Sequence, residues 1–238
     1  MIIVGHRGAR KEAPENTVES FVHAQQNGCL HFELDIQLST DEELVVFHDS
    51  KLYRTTGVRG KVSNKPFSEL KQLDARRDTP GWSKPCLIPN LQAVVDAASQ
   101  TRHWQLEVKS NKHQNLMILA QRLEALLTHN NLFDTVTVTS CNRWFLRRLK
   151  QIFPAIQTGY VAEHRQPNPV KTAQHLGCQY LILNVQLANS LRVKQARDIG
   201  LHVSCWTVNC LDKMADLQEM GVNSIITDIP SAAIRHFC

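Results

Sequence analysis

His175-Leu176-Gly177 before the apolar run Tyr180–Leu183, Asp198-Ile199-Gly200 before Leu201–Val208, and Glu219-Met220-Gly221 before Ser224–Thr227 state one pattern three times in succession. In each, an amphipathic run ends at a glycine and a strand-like run follows. Glycine just past a helix end takes the left-handed cap conformation without a Cβ penalty, so each is a helix-to-strand junction. The three glycines recur every 20 to 25 residues or so, the length of a compact βα unit. Gln25-Gln26-Asn27-Gly28 before Leu30–Ile36 gives the same junction near the N-terminus.

Working outward, strands are expected at residues 2–5, 30–37, 104–109, 135–139, 157–161, 180–184, 201–208 and 224–228. Helix signals fall between them. Asn16 is expected to cap the first helix, with Glu19 three residues on as in a capping box and Val18, Phe21 and Val22 as its apolar face. Leu91, Val94, Val95 and Ala98, and then Leu116, Leu119, Ala120, Leu123 and Leu127, keep helical spacing, while Pro154 stops the helix holding Phe145, Leu149 and Ile152. Eight strands alternating with helices predict an α/β chain folded as a parallel (β/α)8 barrel, with a doubly wound open sheet as the alternative. The 238 residues are expected to form a single domain. Residues 50–89 break the repeat. Rich in glycine and proline, with one short helical run around Phe67–Leu73, they are expected to form an insertion after the second strand that caps the barrel mouth.

Composition excludes more than it assigns. Lys plus Arg number 27 against 22 for Asp plus Glu, a mild +5 balance without a long basic run, which argues against a nucleic-acid partner. No apolar run reaches the length of a bilayer span, so stable membrane insertion is not expected. The seven cysteines (Cys29, Cys86, Cys141, Cys178, Cys205, Cys210 and Cys238) are odd in number and include no C-x-x-C pair. Met1 leads straight into strand residues with no basic-then-apolar leader. Reduced thiols and this start point to a cytoplasmic location. Oligomeric state is left open.

Four polar clusters sit at or just after apolar runs: Gly5-His6-Arg7-Gly8, Glu33-Leu34-Asp35, His48-Asp49 and Glu107-Val108-Lys109. A strand projects residues i and i+2 to one face, so Glu33 lies beside Asp35 and Glu107 beside Lys109. If the strands are neighbours, three carboxylates, two histidines, an arginine and a lysine meet at one end of a sheet. Parallel barrels place their active sites at the carboxyl ends of the strands. The inventory suits metal-assisted chemistry on a phosphate ester.

These residues belong to a longer ordered set: His6-Arg7-Gly8, Pro14-Glu15-Asn16-Thr17, Glu33-x-Asp35, His48-Asp49 with Leu52 and Arg54-Thr55-Thr56, Ile88-Pro89-x-Leu91, Glu107-x-Lys109, Trp206-Thr207-Val208-Asn209 and Ile225-Ile226-Thr227-Asp228-x-Pro230. In this the chain resembles the glycerophosphodiester phosphodiesterases, in particular their short cytoplasmic bacterial members. Asn90 and Gln92, and the pair Asn223-Ser224, depart from the family pattern at positions that serve neither metal binding nor proton transfer.

The resemblance implies metal-dependent hydrolysis of a small glycerophosphodiester to sn-glycerol 3-phosphate and an alcohol such as choline, ethanolamine or glycerol. Glu33, Asp35 and Glu107 are then the ligands of a divalent metal, Mg²⁺ or Ca²⁺, which prefers oxygen donors. The plainer alternative is carboxylates salt-bridged to Arg7 and Lys109. His6 and His48 are implied as the catalytic acid–base pair, with the split of roles undecided. Arg7 and Lys109 would address the phosphate. Glu15 would order the His6 segment or touch substrate, and Trp206 would wall the glycerol moiety. The nine other histidines show no ligand spacing. A lysolipid-directed phospholipase and a catalytically silent barrel are the competing functions. The first calls for an apolar rim, whereas residues 50–89 carry only isolated apolar residues such as Leu52, Phe67 and Trp82. The second calls for a lost ligand or histidine, and none is lost.

Overall fold

The computed structural model describes residues 1–109 and 115–237, so His113 and Cys238 lie outside the described residues. The strands are β1 (Ile2–His6), β2 (His31–Leu38), β3 (Leu44–Val46), β4 (His103–Val108), β5 (Val136–Ser140), β6 (Gln157–Ala162), β7 (Tyr180–Asn184), β8 (His202–Trp206) and β9 (Ser224–Thr227). All but β3 pair in parallel, and β1 pairs with both β9 and β2, which closes the ring into the expected eight-stranded barrel. Two short helices, α2 (Tyr53–Thr56) and α3 (Phe67–Leu70), follow β3. The helices between barrel strands are α1 (Val18–Gln26), α4 (Leu91–Ala97), α5 (Leu116–His129), α6 (Arg143–Ile152), α7 (Pro169–His175), α8 (Ser190–Asp198) and α9 (Leu211–Glu219), with α10 (Pro230–Phe237) after β9. The junction glycines do what the pattern requires: Gly177 has φ 67° and Gly200 φ 81°, values that cost an L-residue its Cβ clearance.

Between the sheet and the helices lies a continuous apolar layer. Phe21 of α1 meets Phe32 of β2 and Trp104 of β4 edge-on at 5.5 and 5.7 Å, and all three are buried. Such pairs contribute about 0.5–1.5 kcal/mol each beyond their buried area. Inside the barrel, Val4, Val161, Ile182 and Ile226 form a separate small cluster. The departures from the family pattern are absorbed locally. Asn90 caps α4 by accepting from the Ala93 amide, and Asn223 Oδ1 accepts from the Val203 amide.

Three details differ from the sequence reading. First, Thr17 and not Asn16 caps α1: its hydroxyl accepts from the Ser20 amide, which frees Asn16 for the barrel mouth. Second, β3 is an additional strand, running antiparallel to the overrun of β2 with Ile36 opposite Val46. β2 outlasts its neighbours, and β3 pairs with the exposed overrun and turns the chain back toward the mouth. Third, the apolar residues of the insertion are not isolated. Residues 50–89 hold α2, α3 and a 3₁₀ turn at Val62–Asn64. Leu52, Val62, Leu70, Ala75 and Ile88 pack with Val45 and Phe47 of the β3 hairpin into a small core of their own. Among the described residues, no helix is long and apolar enough to cross a membrane.

Candidate active site

Strand register assembles the site. His6, the last residue of β1, lies opposite Glu33, and Asp35 lies opposite Glu107 across the β2–β4 pair. One oxygen from each of Glu33, Asp35 and Glu107 falls within 4.8 Å of the others. Lys109 Nζ sits 2.7 Å from Glu107 Oε1 and 3.0 Å from Asp35 Oδ1, and Arg7 Nε is 3.1 Å from Asp35 Oδ2. Asn16, with φ 57°, turns its amide inward to donate to Asp35 Oδ2 at 2.8 Å. Asn tolerates this left-handed backbone better than most residues. Arg7 shares the conformation at φ 51°, an outlier of the kind that concentrates at functional sites.

The charges do not balance within the cluster. Burial drives Glu33 well above the usual carboxylate range, and the neighbouring Asp35 and Glu107 charges drive it further. Burial raises Glu107 as well. Asp35 goes the other way, because Lys109 and Arg7 outweigh its burial. Two cations thus face three carboxylates: Lys109 is shared between Asp35 and Glu107 and Arg7 meets Asp35, which leaves the cluster short of positive charge. An all-oxygen donor set with this deficit fits a hard divalent cation.

Each histidine is held through Nδ1 by an aspartate. His6 Nδ1 meets Asp228 Oδ1 at 2.5 Å, and its Nε2 lies 3.8 Å from Glu33 Oε2. Burial pushes the His6 imidazole below its ordinary value in spite of that hydrogen bond. Asp228 is itself fixed: Asn209 Nδ2 donates to its Oδ2 at 2.7 Å, and the Asp228 backbone N–H donates to Asn209 Oδ1 at 2.8 Å. His48 Nδ1 meets Asp49 Oδ1 at 2.6 Å. Gln37, on the overrun of β2, donates to the carbonyls of Phe47, His48 and Asp49 and so pins the His48 turn against the barrel.

Glu15 is where the first loop and the insertion are tied together. It accepts from Arg7 Nη1 at 2.9 Å, Arg10 Nε at 3.0 Å and Arg54 Nη2 at 2.6 Å. Burial opposes its ionisation, but the Arg54 and Arg7 guanidinium groups hold its carboxyl down at about 2. Arg54 also grips Asp49 at 2.7 Å, so one guanidinium joins the supports of both Arg7 and His48. The narrow cavity of about 70 Å³ among these groups is lined by His6, Arg7, Glu33, His48, Glu107 and Lys109 on the polar side. Val161, Ile182, Ile226 and Trp206 line its apolar side. Trp206 therefore reaches the site, with its buried Nε1 lacking an acceptor. Glu15 lies behind this cavity, in an adjoining groove with Arg10, Trp82 and Asp228.

Sequence reasoning assigned no role to Asp228, Asn209, Asp49 or Arg54, although all four stood in the quoted motifs. An aspartate directly after His48 was a readable signal. Asp228, 222 residues from His6, has meaning only once the barrel closes. Gln105, which also lines the cavity, shares the strand face of Glu107 by the same alternation, whereas Glu163 carried no such signal.

Comparison with known proteins agrees with this geometry. Residues 6–232 match the model of the glycerophosphoryl diester phosphodiesterase family. The chain is 30% identical over 243 residues to the YhdW protein of Bacillus subtilis (strain 168), covering 99% of this chain and 97% of that one. It is 27% identical over 237 residues to the glycerophosphodiester phosphodiesterase of Bacillus altitudinis, covering 98% and 96%. Among solved structures, a phosphodiesterase of Oleispira antarctica in complex with the product sn-glycerol-3-phosphate superposes with a TM-score of 0.90 at 27% identity, covering 99% and 96%. The chain belongs to the glycerophosphoryl diester phosphodiesterase family and is an enzyme of that class.

Proposed function

We propose that this enzyme hydrolyses glycerophosphodiesters to sn-glycerol 3-phosphate and an alcohol, choline, ethanolamine or glycerol, with Mg²⁺ or Ca²⁺ held by Glu33, Asp35 and Glu107. The observation that carries this reading is the placement of two imidazoles, each tied through Nδ1 to an aspartate, in one cavity with that carboxylate cluster. With Nδ1 committed, Nε2 is the nitrogen left to exchange a proton with substrate. When bound, the cation would neutralise the carboxylates and polarise a phosphoryl oxygen.

The remaining work falls to the chain's own side chains. Lys109 and the uncommitted edge of Arg7 bind the non-bridging phosphate oxygens. One histidine takes a proton from the attacking water as its oxygen bonds to phosphorus. The other delivers a proton to the alkoxide as the old P–O bond breaks. Trp206 lies against the glycerol moiety, where a hydroxyl would satisfy its Nε1. Glu15 acts by positioning Arg7. Residues 50–89 cap the mouth of a single-domain enzyme, fastened there through Arg54. The described cysteines are all free thiols, which suits a cytoplasmic setting.

The histidine roles are tested with His6→Ala and His48→Ala on a natural diester and on a nitrophenyl ester, whose leaving group needs no proton. Each variant is expected to lose about 10²–10⁴ in kcat on the natural diester. The variant lacking the acid should recover on the nitrophenyl ester and the other should not. Recovery of both, or of neither, contradicts an acid–base pair.

A further inference from the structure

A second concave surface lies outside the barrel, between α6 and α7. There an open groove of about 960 Å³ is lined by Arg143, Arg147, Lys171 and His175, with Cys141, Asn142 and Asn168 at its upper end. Among the described residues, no acidic side chain lines it. Among the described residues, Arg143, Arg147 and Lys171 make no ion pair, whereas Lys194 and Lys213 on other helices are each matched to an aspartate. An unmatched basic cluster on a chain of only +5 net charge is concentrated and not a share of a generally basic surface.

The groove also presents Trp144, which is 57% exposed. α6 divides by face. Phe145, Leu146 and Leu149 are buried against the barrel, while Trp144, Arg147, Arg148 and Gln151 face outward. Exposure of one indole is ordinary, but this one stands in the same groove as three unpaired cations, so an apolar ring and a basic cluster share one surface. Together they make an interfacial surface: guanidinium and ammonium groups meet anionic headgroups, and the indole enters the headgroup layer.

We infer that this groove docks the enzyme on an anionic phospholipid surface. Position supports the assignment. Cys141 directly follows β5, and Glu163, which lines the catalytic cavity, follows β6. The groove therefore begins at the same end of the barrel as the site and runs along α7 to His175. A bilayer seated on it lies beside the mouth, where diesters released by deacylation of phospholipids would be met. Nucleic acid shares the attraction to basic groups but gives no reason for one outward indole without a wider aromatic platform.

The test is co-sedimentation of the full chain with vesicles of roughly equal parts phosphatidylglycerol and phosphatidylcholine, against phosphatidylcholine alone. The protein is expected to pellet with the anionic vesicles only and to be released by raised salt. Neutralising one basic residue near a membrane surface weakens binding about fivefold, so R143Q/K171Q/R147Q together should weaken it on the order of a hundredfold. W144S should weaken binding in a way that salt does not mask. All variants should keep their turnover of a soluble diester, which separates loss of docking from loss of fold. Equal sedimentation of the triple variant and the parent overturns the inference, as does a parent that stays in the supernatant. Tighter binding to a single-stranded oligonucleotide than to the vesicles also overturns it.

Discussion

Asp228→Asn separates the hydrogen-bond geometry around His6 from mere loss of a side chain. Asn209 Oδ1 accepts from the Asp228 amide at 2.8 Å and from Thr227 Oγ1 at 3.1 Å, so its own amide cannot flip, and Nδ2 must donate toward residue 228. An asparagine there must present its oxygen to Asn209 and its NH₂ group to His6 Nδ1. A donor facing Nδ1 forces the imidazole proton onto Nε2 and also disfavours the imidazolium. His6 is then disabled whether it serves as base or as acid. Losing the charge-assisted bond costs about 1.5–3 kcal/mol, or roughly tenfold to a hundredfold. The wrong tautomer adds to this. In a serine-protease triad, the same aspartate-to-asparagine replacement behind the catalytic histidine costs about 10⁴ in kcat. Asp228→Asn is therefore expected to lower kcat by about 10³–10⁴. Asp228→Ala, where water can follow either tautomer, should lose about tenfold less. The assay is sn-glycerol 3-phosphate release at saturating diester, with thermal unfolding as the check on fold. An asparagine variant as active as the alanine variant, or more so, refutes the reasoning.

The remaining expectations concern stability, metal binding and specificity. Glu15 has a folded-state pKa of about 2 against an ordinary 4.5, so its stabilisation is complete above about 4.5 and is lost as pH falls through 2. That difference corresponds to on the order of 3 kcal/mol, and Glu15→Gln should flatten the acid limb of a urea-midpoint-versus-pH curve by a comparable amount. Glu33→Ala and Glu107→Ala should each abolish turnover, and the double variant should be little worse, because groups acting on one ion behave as a unit; calorimetric metal titration checks the shared loss. The alcohol should be weakly discriminated, with kcat/KM for choline, ethanolamine and glycerol diesters agreeing within about tenfold, or ~1.4 kcal/mol. Shortening residues 57–84 should disturb glycerol positioning, read as slower turnover of the natural diester, and should also lower the melting temperature, because Val62, Leu70 and Ala75 leave the small core that covers Val45 and Phe47.

How much of this the chain displayed in advance depended on distance along it. The βα repeat was legible because its signals are local: a glycine at a helix end, as at Gly177, and an apolar run a few residues on. Glu33 beside Asp35 and Glu107 beside Lys109 were legible for the same reason, since strand alternation alone brings them together. Asn16 misled because two residues in a row suit a cap, and tertiary structure claimed one of them. Thr17 took the cap while Asp35, 19 residues away, took the Asn16 amide. The run Leu44–Phe47 was legible as apolar and strand-like, but its antiparallel pairing was not, because that needs the overrun of β2 to exist first. The Arg54 links to Glu15 and Asp49, and the His6–Asp228 pair, are choices made by barrel closure among many equivalent charges.

The central claim is that a divalent cation on Glu33, Asp35 and Glu107 enables hydrolysis of glycerophosphodiesters. The most direct measurement is sn-glycerol 3-phosphate release from glycerophosphocholine by the purified enzyme, first as prepared, then after thorough chelation, then with Mg²⁺ or Ca²⁺ restored. The account predicts turnover that disappears on chelation and returns with one of the two ions, and no return in Glu33→Ala. Undiminished release from the chelated enzyme, or restoration by metal in Glu33→Ala, contradicts it.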